Sequence, residues 1–213
     1  MYLTLDLTGL STINMSGEKF VLGLELPTDP RWVNIAEKNI SDILTDHAYC
    51  EQKAASSCIS LIVQFPDRHE LVSMLTPVVA EEWSHFERVL DEMRKRGFPL
   101  RFPRKDEYVE KLQGVMRKGG SRDQLLLEKL LMNALIEARS CERFRLLWKN
   151  IPDAELSKFY YELMVSEAGH YKNFLALAKV YNPEERVMIR WNEWLEAEAE
   201  IMKTLAVRGD RMH

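Results

Sequence analysis

The chain has few residues that break helices or cross-link a fold. Its 213 residues include only nine glycines, eight prolines and three cysteines, and there is no low-complexity tract. This composition argues against disorder away from the ends of the chain. The odd number of cysteines argues against a complete disulfide framework, and Cys50, Cys58 and Cys141 lack a zinc-binding spacing. We therefore expect a reduced, cytoplasmic protein.

Long apolar runs are missing as well. No segment reaches the ~18 consecutive apolar residues that predict a membrane span, and the first residues lack the basic start and apolar run of a signal peptide. We expect no membrane partner. The formal net charge of −4 does not by itself favour a nucleic-acid partner, whereas an apolar fraction of 46% suffices for one well-packed domain over 1–213.

Capping residues and prolines predict an all-α fold. After an irregular N-terminal arm over 1–27, with room for a short strand or a helical turn, a long helix is expected from Pro30 to about Phe65. The other predicted helices run from the Pro66-Asp67 turn to Arg96, from Asp106 to Gly119-Gly120, from Ser121 to Asn150, from Pro152-Asp153 to Tyr181, and over 184–206. Four of these helices are long, the helix at 184–206 is an extra one, and the tail to His213 is expected to be frayed.

Two of the long helices carry the motif Glu-x-x-His, and each motif follows a single glutamate at nearly the same distance. The first set is Glu51, followed 31 positions later by Glu82 and then His85, and the second is Glu137, followed 30 positions later by Glu167 and then His170. Within each motif the two side chains lie one helical turn apart and point at one spot. A ferritin-like four-helix bundle holds two metal ions with this set of ligands. The sequence therefore predicts an all-α, ferritin-like bundle with these six residues as metal ligands.

A proline lies midway between the glutamates of each half. Pro66 lies 15 residues after Glu51 and 16 before Glu82. Pro152 lies 15 residues from each glutamate of the second half. If each proline turns a helical hairpin, both glutamates of a half lie at one level, about 22 Å from the turn at 1.5 Å per residue. Chance spacing on a solvated helix face is the plainer alternative, but it does not account for the repetition.

The ligand types indicate the metal. Four buried carboxylates repel one another unless two divalent cations balance them, and oxygen and imidazole ligands without thiolate suit iron or manganese. We predict two iron ions, with manganese less favoured, and O2 as co-substrate. Glu81 competes with Glu82 as a ligand because it shares a helix face with His85. Ser166 occupies the matching place in the second half, which favours Glu82.

Basic side chains concentrate in one loop. From Arg94 to Lys105 half of the residues are basic and none is acidic, with Phe98 and Phe102 among them, and a second basic cluster surrounds Gly119-Gly120. Such a patch is typical of a surface that contacts a phosphate backbone, although a solvated, charge-rich loop explains it equally well. The candidate contact residues are Arg94, Lys95, Arg96, Arg101, Arg104, Lys105, Arg117, Lys118 and Arg122.

Three segments together resemble one family. EWSHF at 82–86, IEARSCERF at 136–144 and SEAGHY at 166–171 are similar to the tRNA 2-methylthio-N6-isopentenyladenosine hydroxylases, and the run at 136–144 is the most specific. The resemblance implies a non-haem di-iron monooxygenase that takes O2 and electrons from an external donor. Its substrate would be the isopentenyl chain of a modified adenosine beside the tRNA anticodon. The resemblance implies the same six ligands and makes tRNA the partner of the basic residues.

Two other functions stay open at this point. A ferritin-like oxidase or ferroxidase would use the same metals without acting on tRNA. A metal-free helical interaction module would have neither the ions nor the chemistry. The sequence does not identify the electron-transfer partner or the oligomeric state.

Overall fold

Seven helices and one short β-hairpin make up the part of the chain that the computed structural model describes, residues 11–13 and 19–213. The helices are α1 (Arg31–Glu37), α2 (Ile40–Gln64), α3 (His69–Lys95), α4 (Glu107–Val115), α5 (Arg122–Asn150), α6 (Ala154–Tyr181) and α7 (Glu184–Thr204). The strands β1 (Ser11–Ile13) and β2 (Lys19–Val21) pair antiparallel, with Thr12 opposite Phe20. The predicted arm over 1–27 therefore contains a hairpin, although 1–10 and 14–18 lie outside the described residues.

The four long helices form two hairpins. α2 packs along α3, and α5 packs along α6, over most of their lengths. The two hairpins meet mainly through α3 and α6, whereas α2 and α5 do not pack closely on each other. α4 and α7 contact each other and also contact α5. One side of the bundle therefore has a gap between α2 and α5.

Side-chain caps begin three helices where the sequence predicts them. Asp106 accepts a hydrogen bond from the Val109 amide (3.1 Å) at the start of α4. Asp153 accepts one from the Leu156 amide (3.0 Å) at the start of α6. A capping box begins α5, because the Ser121 hydroxyl accepts from the Gln124 amide and the Gln124 side chain accepts from the Ser121 amide. Each such cap contributes about 1 kcal/mol to helix stability.

The predicted continuous helix from Pro30 to Phe65 is wrong, because α1 and α2 are separate. The Asn39 amide nitrogen donates to Ala36 O (2.9 Å), its side chain donates to Ile35 O (2.8 Å), and its own carbonyl accepts from Ile43 N (3.0 Å). Asparagine competes in this way for backbone partners, which ends one helix and begins the next. The predicted helix from Asp106 also ends early, at Val115, and Gly119 and Gly120 form the following turn with φ of 76° and 110°.

The tail after α7 is ordered against the bundle, so the prediction that it is frayed is also wrong. Met212 is fully buried, and its amide donates to Asp46 Oδ2 (2.7 Å). The Trp32 indole nitrogen donates to the carbonyl of Arg211 (3.2 Å). His213 hydrogen-bonds Ser140 Oγ through Nε2 (2.9 Å). These contacts bring the tail beside the gap between α2 and α5.

All seven helices contribute buried apolar side chains to one connected core. Among the described residues, no helix combines the length and the apolar character that a bilayer span requires.

Candidate metal centre

The six predicted ligands come from the four long helices and converge in the middle of the bundle. They are Glu51 on α2, Glu82 and His85 on α3, Glu137 on α5, and Glu167 and His170 on α6. None of these residues is more than 5% exposed. Carboxylates are almost never buried to this degree unless they are paired or bind metal.

The six side chains form two overlapping groups. One group is Glu51, Glu82, His85 and Glu167, and the other is Glu82, Glu137, Glu167 and His170. Within each group the candidate ligand atoms lie within 4.8 Å of one another. Glu82 and Glu167 belong to both groups, so their carboxylates stand where each can bridge two ions.

Both imidazole rings turn Nδ1 toward the carboxylates. His85 Nδ1 lies 3.3 Å from Glu51 Oε2 and 3.2 Å from Glu167 Oε1. His170 Nδ1 lies 2.7 Å from Glu82 Oε1 and 3.0 Å from Glu167 Oε2. The two ring centroids are 5.9 Å apart. The two halves of the sequence repeat therefore occupy equivalent places around one centre.

The ionisation of these groups is strongly perturbed. Burial alone would lower the pKa of His85, but the surrounding carboxylates, led by Glu167 and Glu51, raise it to about 12. Burial and the charge of Glu167 raise the pKa of Glu82 to about 7. Burial would also raise the pKa of Glu167, but the two imidazoles hold it well below the usual range. These shifts favour protonated rings beside ionised carboxylates, and bound cations would take over that charge balance.

Several atoms of the centre point at one another without forming hydrogen bonds. Glu82 Oε1, Glu167 Oε1 and His85 Nδ1 are buried and have no hydrogen-bond partner of acceptable geometry in the described part of the chain. Buried polar atoms without partners are rare, and an ion is one of the usual reasons for them. Carboxylate oxygen and imidazole nitrogen suit iron or manganese. The residues present therefore fit a pair of such ions.

Glu81 and His47 support the centre from outside. Glu81, the rival of Glu82 in the sequence, has a half-exposed side chain and pairs through Oε2 with His170 Nε2 (2.8 Å), the ring nitrogen that faces away from the carboxylates. His47 Nε2 lies 2.6 Å from Glu51 Oε1, within hydrogen-bond distance, and burial lowers the pKa of His47 to about 3. Such contacts orient metal-binding side chains. The structure thus identifies the outer partner of one histidine, which the sequence could not.

A cavity of about 230 Å3 reaches the centre through the gap between α2 and α5. Glu51, Glu82, Glu137 and Glu167 line its inner end, and its walls carry Ala54, Met132 and Ile136 together with the hydrogen-bonded pair Ser57 and Asn133 (2.9 Å). α4 and His213 cover it from the side, and the ion pair of Lys53 with Asp106 (3.2 Å) lies at its mouth. A larger groove of about 680 Å3 lies between the 117–120 turn and α7 and includes none of the six residues.

The nine predicted contact residues do not form one free basic surface. Eight of them pair with acidic side chains within 4.0 Å: Arg94 with Asp91, Lys95 and Arg96 with Glu92, Arg101 and Arg104 with Asp42, Lys105 with Glu110, Arg117 with Glu193, and Arg122 with Asp67. Lys118 has no ion pair within the described residues and lines the larger groove. Only Arg101, Arg104 and Lys105 lie within five residues of Asp106 at the cavity mouth.

A buried ion cluster lies on α5 close to Glu137. Arg139 is fully buried and contacts Glu142 on its own helix and Glu198 on α7 (2.6 Å). Thr28 donates to Glu142 through its amide (2.8 Å) and its hydroxyl (2.6 Å). The cluster ties α5 to α7 and to the chain before α1. No sequence pattern points to Thr28 or Glu198, because both partners are distant in the chain.

Comparisons with known proteins identify the family of this chain. A family model described as tRNA-(ms2io6A)-hydroxylase (MiaE) matches residues 17–213. The chain belongs to the MiaE family. It is 39% identical over 161 residues, 76% of this chain and 77% of the relative, to the tRNA 2-(methylsulfanyl)-N(6)-isopentenyladenosine(37) hydroxylase of Pseudomonas putida. The Salmonella typhimurium protein of the same name is 27% identical over 84% of this chain and 83% of its own.

A solved structure also resembles this MiaE-family chain. It is named as protein 43 with aldehyde deformylating oxygenase activity from Synechococcus, and it superposes with a TM-score of 0.84 at 34% identity, covering 89% of this chain and 94% of its own. The ferritin-like helical fold predicted from the sequence is confirmed. Family membership and this likeness make the chain an oxidoreductase, as the sequence predicted.

Proposed function

We propose that this protein hydroxylates the isopentenyl side chain of 2-methylthio-N6-isopentenyladenosine next to the anticodon of tRNA, at a centre of two iron ions. The proposed ligands are Glu51, Glu82, His85, Glu137, Glu167 and His170. The observation that carries the proposal is their convergence in two groups that share Glu82 and Glu167. The substrate comes from the names of the two relatives and of the family.

The iron ions would supply the activation of O2 and the delivery of one oxygen atom to an aliphatic C–H bond. The balance is one C–H bond, one O2, two electrons and two protons consumed, with one C–OH bond and one water formed. The electrons come from an external donor, so an electron-transfer partner is part of the proposal. Because tRNA is the substrate, we propose that the protein works in the cytoplasm.

The chain's own residues bind the ions, orient the ligands and limit access. Glu82 and Glu167, which belong to both groups, would help to hold both ions, while His47 and Glu81 hold the outer sides of Glu51 and His170. The cavity of about 230 Å3 suits the prenyl group, since five carbons need roughly 150 Å3 if each occupies about the space of a water, 30 Å3. α4 and the docked tail cover the cavity and restrict water around the reacting carbon.

The basic residues nearest the cavity are the proposed tRNA contacts. Arg101, Arg104 and Lys105 lie within five residues of Asp106, which lines the cavity, and their ion pairs with Asp42 and Glu110 are partly exposed. Exposed ion pairs are worth only about 0.2–1 kcal/mol, so a phosphate can replace the carboxylate at low cost. The other six candidates lie at the C-terminal end of α3 or around the 117–122 turn and would contact more distant parts of the RNA.

Analysis of the product tests the function. Reduced, iron-loaded protein is incubated with O2 and prenyl-modified tRNA, and the nucleosides are then separated by mass. We expect one added oxygen on the prenyl chain. The variants His85→Ala and His170→Ala should bind less iron and make no product, whereas His69→Ala, an exposed histidine on the same helix as His85, should behave as wild type.

The Synechococcus likeness favours one alternative, an oxygenase that acts on aldehydes. The same incubation with a long-chain aldehyde and no tRNA distinguishes it. Turnover of the aldehyde without oxygen on the tRNA would replace the proposed function. An iron-free protein with unchanged properties in both histidine variants would instead indicate a helical interaction module.

A further inference from the structure

Phe102 is the most exposed large apolar side chain among the described residues. It lies in the loop between α3 and α4, and 90% of its surface is open to solvent. Exposed aromatic area is unfavourable in water, and an isolated, fully presented ring often marks a contact site. No contact within the described part of the chain explains this orientation.

The loop that carries Phe102 is held in place on both sides of the ring. The Tyr49 hydroxyl donates to the carbonyl of Arg101 (2.8 Å). Arg104 bonds Asp42 (2.7 Å) and Asp210 (2.7 Å). Pro103 directly follows the ring and fixes one backbone dihedral angle. The ring is therefore presented from an anchored backbone, so a partner binds it without a large cost in loop entropy.

Phe102 stands close to the mouth of the cavity. Asp106, at that mouth, is four residues away, so the two Cα atoms are at most about 14 Å apart at 3.6 Å per residue. Tyr49, which holds the loop, directly precedes Cys50 in the cavity wall. The ring is therefore within reach of a ligand whose reactive part fills the cavity.

The surroundings of Phe102 fit a nucleic-acid base better than a protein. Arg101 and Arg104 flank it in partly exposed ion pairs with Asp42, which a phosphate can replace at low cost, and the loop itself has no acidic residue between 94 and 105. Leu100 is the only other large apolar side chain in the same loop with substantial exposure (41%), so the apolar area is far smaller than the core of a protein interface. One aromatic face with nearby cations is the usual contact for an unpaired base and its phosphate.

We propose that Phe102 is a stacking platform for an unpaired base that neighbours the modified adenosine in the RNA substrate. The proposal rests on the proposed function for the identity of that RNA. Phe102 positions the RNA and takes no part in the chemistry. The adenosine's prenyl chain enters the cavity while the next base covers the ring.

The test uses an anticodon stem-loop RNA that carries the prenyl-modified adenosine. Its Kd is measured by fluorescence anisotropy for the full-length wild type, Phe102→Leu, Phe102→Trp and the matched control Leu100→Ala. We expect Phe102→Leu to weaken binding about tenfold, in line with the loss of one base stack. Phe102→Trp and Leu100→Ala should stay within about twofold of wild type. Iron content and the single-turnover rate at saturating RNA should not change in Phe102→Leu.

A second readout follows the stack directly. A fluorescent purine analogue replaces the base next to the modified adenosine, and its emission should be quenched by the wild type and by Phe102→Trp but not by Phe102→Leu. An unchanged Kd and unchanged quenching in Phe102→Leu would overturn the stacking proposal. So would a wild type that does not bind the RNA, or a Phe102→Leu variant that binds RNA normally but accepts electrons slowly from a protein donor. A wild type that binds and quenches but adds no oxygen would overturn only the hydroxylase function.

Discussion

Glu81 offers the sharpest test of how the centre holds its ions. Its carboxylate accepts from the outer nitrogen of His170 at 2.8 Å, whereas no carboxylate of the described residues pairs with the outer nitrogen of His85. An outer carboxylate fixes the ring and makes its inner nitrogen a better ligand. The two ions should therefore depend differently on Glu81.

The size of the effect follows from exposure. Hydrogen bonds to charged groups contribute about 1.5–3 kcal/mol, and loss of an outer partner costs about 10- to 100-fold in metal affinity. Because the Glu81 side chain is 58% exposed, water screens the contact and the lower end applies. We expect Glu81→Gln to weaken one of the two sites about tenfold, which corresponds to about 1.4 kcal/mol.

Anaerobic titration of the metal-free protein with Fe(II) against a competing chelator measures this change. The wild type should take up two ions in a narrow range, and Glu81→Gln should show one unchanged and one weakened site. Glu87→Gln, at an exposed glutamate on the same helix, is the matched control and should titrate as wild type. Equal weakening of both sites, or none, would refute the assignment of Glu81 to His170.

Three further outcomes are expected. Arg139→Met should lower the free energy of unfolding by about 3–5 kcal/mol in urea titrations, because Glu198 and Glu142 lose their buried cation. The control Arg145→Met, on the same helix and without an ion pair in the described part of the chain, should lower it by less than about 1 kcal/mol. Equal losses in the two variants would contradict the buried-cluster argument. The metal-free protein should lose stability from pH 7 to pH 10 relative to the iron-loaded protein. The folded-state pKa of His85 is raised to about 12, so its stabilisation is complete below the unfolded value near 6.5 and is lost as the pH rises; a metal-free form that gains stability on this interval would be inconsistent. Asp42→Asn should strengthen RNA binding about threefold and steepen its salt dependence, since Arg101 and Arg104 both pair with Asp42. Asp91→Asn, which releases Arg94 on α3, serves as the control. Weaker RNA binding by Asp42→Asn would exclude this surface as the RNA contact.

The positions of the six clustered residues could be predicted because the repeat depends only on residue spacing within each helical hairpin. Glu82 and His85 share a face by helix geometry alone, and the prolines at 66 and 152 end the helices at matching distances from Glu51 and Glu137. The neighbours Glu81 and Glu82 differ by about 100° around the helix axis, so one reaches the centre and the other the outer side of His170. The choice of Glu82 over Glu81 as the ligand depended on the second half of the repeat, where Ser166 and Glu167 occupy the matching places.

Features that depend on distant partners could not be predicted. The break at Asn39 comes from one side chain competing for the carbonyl of Ile35, with no glycine or proline to signal it. The tail docks through Met212 and Asp46, which are 166 residues apart. The basic loop suggested free positive charge because its sequence has no acids, yet Asp42 on α2 neutralises two of its arginines. Local sequence reports helices and faces, whereas ion pairs and tail contacts are tertiary.

The way the ligands are divided between the two hairpins has a mechanical consequence. Each group takes three side chains from its own hairpin and borrows a single glutamate, Glu167 or Glu82, from the other. Bound ions would thus link the two hairpins across the interface between α3 and α6, whereas each hairpin is stabilised by its own long helix–helix contact. Removal of the iron should first weaken the interface between α3 and α6 and leave both hairpins helical. Amide hydrogen-exchange rates should therefore rise along α3 and α6 before they rise elsewhere.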